Sequence, residues 1–401
     1  MIIKKERVIV SKRIYLDHAA TTYTNKEVLN EMLPYFTEYF GNPSSVHQFG
    51  REVKKSIDVA RDRVAKAIGA LPEEIYFTAG GSEADNLAIK GVAYANKSKG
   101  NHIITTKIEH PAVLETCEQL EKEGFEVTFL DVDQYGVVSP EAVRNAIKDN
   151  TILISVMYAN NEIGTIQPIS EIAQIANEKK IYFHTDAVQA IGSIRINVKE
   201  QNIDMLSMAS HKFYGPKGVG ALYVRKGVKL ISIIHGGSQE RKRRAGTENV
   251  PGIIGIGKAI ELAYQKFDEN NARITMLRDK LIKGIMEKVP YTRLNGHPEN
   301  RLPNNTNFCF EYIEGESLLL NLDMKGIAGS SGSACSSGSL EPSHVLLAIG
   351  LPHEIAHGSL RLSLGEVNTE EDIEYVLQVL PEIVDRLRQM SPLYEKVKGG
   401  K

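Results

Sequence analysis

The chain has 401 residues, 42% hydrophobic and 24% charged, with a formal net charge of −2. That is an ordinary balance for a globular enzyme, and the length allows two or three domains, or one large domain with a smaller companion. Near-neutral charge excludes binding driven by bulk electrostatics, so neither nucleic acid nor a membrane surface is expected as a direct partner.

The opening residues, MIIKKERVIV, lack an apolar stretch followed by a small-residue cleavage site, and no apolar run reaches the length of a membrane span. From about Glu74 onward, short apolar runs alternate with amphipathic stretches. IYF (75–77), HIITT (102–106), EVTFL (126–130), ILISVMY (152–158), IYFHTDA (181–187), MLSM (205–208) and ALYV (221–224) read as buried strands. They are short, β-branched or aromatic, and bounded by turn residues. Helical patterns lie between them, such as SEADNLAIKGVAYA after Gly80-Gly81, and PEAVRNAI with Ser139 as N-cap and Pro140 at the first helical position. Repeated strand–helix units predict an α/β fold with a mostly parallel sheet covered on both faces.

The pattern changes near residue 265. A long charged helix (about 266–288), the strand-like NFCFEY (307–312), a Gly/Ser-rich loop and a final helix, EEDIEYVLQVLPEIVDRLRQM, predict a smaller α+β unit.

Three cysteines, Cys117, Cys309 and Cys335, are too few for a disulfide framework and suit a reducing compartment. The cytoplasm is therefore the expected location. Cys117 falls on a predicted helix and Cys309 among apolar neighbours, as inert core cysteines do. Cys335, in GSSGSACSSGSLEP, is flanked by residues that pack poorly, so its loop is expected to be mobile.

SHKFYGPKGVGALYV places Lys212 at a strand end, where a lysine of lowered pKa can form a Schiff base with an aldehyde cofactor; Lys217 is a rival five positions on. FHTDAVQA puts Asp186 at the carboxyl end of a strand, where ligands of open parallel sheets gather. A carboxylate there suits the ring nitrogen of pyridoxal phosphate, and Gln189 is placed for the ring hydroxyl. An N-capping role is the competing reading of Asp186. Gly80, Gly81 and Ser82 open a helix whose free amides and dipole can hold a phosphate. His110 follows a strand, suited to ring stacking or proton transfer, although a lone histidine is more often structural. HEIAH (353–357) matches a zinc-peptidase signature, but Pro352 and Gly358 leave little more than one helical turn, so no metal site is expected.

Together, YLDHAATT, FGNPSSVH, FTAGGSEADNLAIKG, EHPAVLETC, NNEIGTIQPI, HTDAVQAIG, SHKFYGPKGVGALYV, GGSQERKRRAGTENV and GSACSSGSLEPSHVL closely resemble the cysteine desulfurases of the IscS/NifS type, in order from about residue 14 to 385. The resemblance implies a homodimeric fold-type I pyridoxal-phosphate enzyme with a mainly parallel seven-stranded sheet. Its large domain would span 21–264, and 1–20 with 265–401 would form a small domain carrying the cysteine loop. It further implies that Lys212 carries the cofactor, His110 stacks on its ring, Asp186 pairs with the ring nitrogen, and Asn161 and Gln189 contact the ring oxygen. Gly81, Ser82 and His211 would hold the phosphate, with Thr247 reaching in from the other subunit, and Arg361 would clamp the carboxylate of L-cysteine. Cys335 would take sulfur as a persulfide, leaving L-alanine. The long cysteine loop resembles the branch that passes sulfur directly to scaffold proteins; an iron–sulfur scaffold or a tRNA-thiolation protein is the expected acceptor.

Relatives commonly read Ser-Gly-His-Lys or Ser-Ala-His-Lys where this chain has Ala209-Ser210-His211-Lys212. The hydroxyl expected at 209 is absent, and Ser210 is the residue available to replace it at the phosphate. Other fold-type I enzymes, a selenocysteine lyase or an aminotransferase, remain the alternative.

Overall fold

A computed structural model describes residues 13–331 and 342–399. Its strands are β1 (Ile14–Tyr15), β2 (Ile75–Thr78), β3 (His102–Thr106), β4 (Glu126–Leu130), β5 (Thr151–Ser155), β6 (Tyr182–Asp186), β7 (Met205–Ala209), β8 (Gly220–Val224), β9 (Thr292–Leu294), β10 (Asn305–Phe310), β11 (Ile327–Ala328) and β12 (Ser359–Ser363). Seven form one sheet in the order β2-β8-β7-β6-β5-β3-β4. β8 is antiparallel to both its neighbours, and every other pairing is parallel.

Adjacent residues of each central strand enter different cores, because side chains alternate across a pleated strand. Ile103, Leu153, Met205 and Leu222 pack under the helices Gly81–Asn96 and Pro111–Lys122. Ile104, Ile154, Leu206 and Tyr223 pack on the other face against the helices Gln48–Ala67, Ile169–Glu178 and Val250–Gln265. A strand buried on both faces needs an unbroken apolar run, which explains why periodicity was weak and length decisive in these segments. EVTFL differs from the expectation of a buried strand: β4 is the sheet edge, and only Leu130 of its five residues is buried. Paired through β3 alone and half in water, it needs less apolar cover.

A further core gathers Ile14 and Leu16 with Phe308, Phe310, Leu360, Leu362 and one face of the helix Glu370–Gln389. Its antiparallel sheet runs β12-β10-β9, while β1 pairs in parallel with β11. Thus the first described strand packs with the carboxyl-terminal part, and the next few residues cross to the large sheet. Among the described residues, no helix is long and apolar enough to cross a membrane.

Candidate active site

The carboxyl ends of β2, β3, β5, β6 and β7 converge on a cleft of about 250 Å³. Gly81, Ser82, His110, Asn161, Asp186, Gln189, His211, Lys212 and Arg361 all line it. All but Arg361 follow the carboxyl ends of strands of the large sheet, as ligand groups of parallel sheets do, while Arg361 comes from the middle of β12.

After β7 a single 3-10 turn, Ser210–Lys212, carries the lysine into the cleft. Its Nζ donates to the carbonyl oxygens of Ala19 at 2.5 Å and Ala20 at 2.8 Å. Gln189 Nε2 donates to the same Ala19 oxygen at 3.0 Å. Lys217 is exposed, donates to Thr22 O at 3.3 Å, and stands outside the cleft.

Asp186 closes β6, where Oδ1 accepts from the Val188 amide at 2.9 Å. Burial pushes its carboxyl up, opposed by His110, the Val188 amide and Lys212. His110 caps the helix Pro111–Lys122, its Nδ1 accepting from Ala112 N at 3.1 Å. A ring nitrogen that accepts carries no proton, so neutral His110 presents N–H at Nε2. Burial lowers its pKa and favours that neutral form.

At the other end of the cleft, the first intrahelical bond of Gly81–Asn96 is Ala84 N to Gly80 O, which leaves earlier amides for an anion. A Cβ at Gly81 would lie 2.8 Å from Val188 Cγ2, and one at Gly220 would lie 2.7 Å from the Gly80 backbone. Two glycines therefore keep this end open and close-packed. His211 Nδ1 lies 3.1 Å from Thr21 Oγ1, and burial lowers its pKa to about 4, so the ring is neutral.

Arg361, on β12, is 3% exposed. Its Nη1 donates to Asn161 O at 3.0 Å and its Nη2 to Asp17 Oδ1 at 3.0 Å, while buried Nε has no partner among the described residues.

Three expected residues are not in this cleft. Ser210 is fully buried, and its Oγ points at Gly215, where a Cβ would sit only 1.9 Å away. Ala209 lines the cleft instead, which corrects Ser210 as a phosphate ligand. Strand alternation accounts for this: Ser207 and Ala209 share a face, and Ser210 points the other way. Thr247 is exposed beside Thr78, Ala79 and Arg244, outside its own chain's cleft. Cys335 lies outside the described residues, as does the loop expected to be mobile. Cys117 and Cys309 are fully buried; burial raises both thiols, Cys309 to about 11. HEIAH forms one helical turn, His353–Ala356, with both histidines exposed.

Acidic residues that the sequence reading passed over surround the site. Asp85 lines the cleft, 1% exposed, with Oδ1 unpartnered among the described residues. Its place four residues after Gly81, on the same helix face, is the signal that was available. Beneath it, His184 bridges Ser155 Oγ at 2.8 Å and Ser207 Oγ at 2.9 Å. Burial raises the Asp85 carboxyl and lowers His184 to about 3, so the ring is neutral and their 3.6 Å approach is not an ion pair. Glu109 is fully buried, accepts from Thr106 Oγ1 and Met157 N, and is pushed by burial to about 8. Glu162, raised by burial to about 7, accepts from Ser343 Oγ.

An amine held by two carbonyls, a carboxylate at a strand end, an unhindered helix N-terminus and an orphaned guanidinium N–H fit the functional groups of pyridoxal phosphate and an amino acid. The match to the model of the class-V aminotransferases, over residues 14–376, agrees with this donor set. The chain belongs to that family of pyridoxal-phosphate enzymes.

Within the family it groups with the IscS/NifS-type cysteine desulfurases. It is 64% identical to the "Cysteine desulfurase IscS" of Clostridium botulinum strain Hall over 394 residues, 98% of this chain and 99% of the relative. It is also 64% identical to that of Methanosarcina thermophila, covering 96% and 95%. Among solved structures, a "NifS-like protein" superposes with a TM-score of 0.88 at 40% identity, over 94% of this chain and 100% of the other. A second, "SspA in complex with cysteine", gives 0.79 at 41% identity, over 88% and 99%. These relatives favour cysteine desulfurase over the selenocysteine lyase or aminotransferase alternative.

Proposed function

We propose that the enzyme converts L-cysteine to L-alanine, taking the sulfur as a persulfide on Cys335. The observation that carries this reading is the convergence of Lys212, Asp186, His110 and Arg361 on one cleft, in a chain 64% identical to cysteine desulfurases. Pyridoxal phosphate, carried on Lys212, supplies an electron sink for the substrate's α-carbon. Asp186 would hold the proton of the ring nitrogen. The amides and hydroxyl at Gly81 and Ser82, with His211, would hold the phosphate, and Gln189 and Asn161 would orient the ring oxygen. Arg361 binds the α-carboxylate, and Asn161 supports that contact. His110, with N–H at Nε2, would lie against the ring and would be the group to move a proton. The Cys335 thiolate attacks the substrate sulfur; the carbon–sulfur bond breaks, carbon keeps the electron pair, and a proton completes alanine.

Sulfur then passes to an acceptor protein of iron–sulfur assembly or tRNA thiolation, in the cytoplasm. Separate hydrophobic cores, one on each face of the large sheet and one around β10 and β12, support a large domain over 21–264 and a small one formed by 1–20 and 265–401. A homodimer is supported by the apolar side chains exposed between residues 33 and 49: Leu33, Phe36, Phe40, Val46 and Phe49 are each more than half exposed. The purified holoenzyme tests the reading: it should absorb in the visible and release one alanine for each sulfur transferred. Cysteine consumed without alanine would refute it.

A further inference from the structure

Residues 16–20 tie the two ends of the cleft together. Ser363, two positions after Arg361 and so on the same face of β12, accepts from Ala19 N through Oγ at 2.8 Å and from His18 N through its carbonyl at 3.3 Å. Ser363 N donates in turn to Leu16 O at 2.7 Å. These bonds fix Asp17 against Arg361, and they fix the Ala19 and Ala20 carbonyls against Lys212. A guanidinium has five N–H donors in a rigid fork. Here Asp17 takes one on Nη2 and Asn161 O takes one on Nη1.

We propose that Asp17 is a positioning and specificity-determining residue, holding one edge of Arg361 and selecting amino acids with a single acidic group over those with two. This rests on the reading of Arg361 as the carboxylate clamp. Asp17 does not line the cleft, so it acts on substrate through Arg361. Its side chain is 20% exposed and that of Arg361 is 3%, so the pair is largely shielded from bulk water. One carboxylate is already paired with the guanidinium, and the substrate's α-carboxylate supplies a second negative charge. A further carboxylate, on the substrate side chain, is repelled by the Asp17 charge, worth about tenfold in affinity across several ångströms of partly dry protein.

The test is equilibrium binding of L-alanine and L-aspartate to the holoenzyme by calorimetry. In the native protein alanine binds the more tightly. Asp17→Asn keeps an acceptor for Nη2 without the charge, so it should shrink the aspartate-to-alanine ratio of dissociation constants about tenfold. Asp17→Ala should shrink the ratio too while weakening both ligands, because positioning is lost as well. Asp17→Glu should keep the native preference. If the Asn variant fails to fold, the Ala and Glu variants decide. Arg361→Ala is the control for the underlying reading: undiminished amino-acid binding would refute the clamp itself. Lost binding in that control, with an unchanged ratio in neutral Asp17 variants, would overturn the selectivity role alone.

Discussion

Lys212 Nζ lies 2.5 Å from the carbonyl oxygen of Ala19, a residue 193 positions away in sequence. Backbone carbonyls therefore hold the amine at the cleft, whereas Lys217 stands outside it.

Lys212→Ala should purify folded, without the visible band of the lysine-bound cofactor, whereas Lys217→Ala should keep it. Absorption spectra of the two variants decide. A band lost only with Lys217 would reverse the assignment.

Thr247 stands outside its own chain's cleft, consistent with service to a partner subunit. Mixing Thr247→Ala subunits with Lys212→Ala subunits should restore about one working site per mixed dimer. Verified mixed dimers with no recovered activity would remove the shared site.

The segment that leads to Thr247 is anchored by a buried ion pair. Arg61 meets Glu240 through two bonds, of 2.8 and 2.7 Å, and Glu240 also accepts from Phe77 N at 2.9 Å. Glu240, Arg241 and Lys242 all have φ between 43° and 67°, a left-handed run of non-glycine residues held in place by that anchor. Arg61→Ala or Glu240→Ala should each cost about 3–5 kcal/mol, because either leaves a buried charge unpaired. Urea unfolding at fixed protein concentration measures it; losses under about 1 kcal/mol would show that the pair is not the anchor.

Glu109 gives a pH signature. Its folded-state pKa, about 8, lies above its ordinary value of 4.5, so the folded protein binds the proton more tightly than the unfolded chain. The stability this contributes is complete below about pH 4.5 and is lost as pH rises through 8. Glu109→Gln lacks the titrating group. Measured from pH 5 to 9, native stability should fall relative to the variant by a few kcal/mol, on the order of 1.4 kcal/mol per pH unit in mid-range. A constant difference across that window would contradict the buried, protonated state.

The strands were legible because short β-branched runs bounded by turn residues have few other uses, and the convergence on Lys212 followed from strand ends. What was not legible depends on distant pairs. Asp17 meets Arg361 across 344 residues, Glu240 meets Arg61 across 179, and Glu109 bonds Met157 across 48. Nothing local to an Asp or Glu in sequence distinguishes one that will be buried. Ser210 differs for another reason: residue type marks it as a phosphate ligand, but alternation along β7 turns Ala209 to the cleft.

The central claim is that Cys335 is the sulfur-bearing nucleophile. Cys117 and Cys309 are fully buried with thiols raised well above neutrality, which leaves them poor nucleophiles. The most direct measurement is alanine formed per minute from L-cysteine by Cys335→Ser, Cys117→Ser and Cys309→Ser, with the trapped persulfide mapped by mass spectrometry. Cys335→Ser should still bind cofactor and substrate but lose alanine release by orders of magnitude, since a serine hydroxyl is far less ionised and less nucleophilic than a thiol. The other two variants should match the native rate, with the persulfide on Cys335. Retention of most activity by Cys335→Ser, or a persulfide on Cys117 or Cys309, would contradict the account.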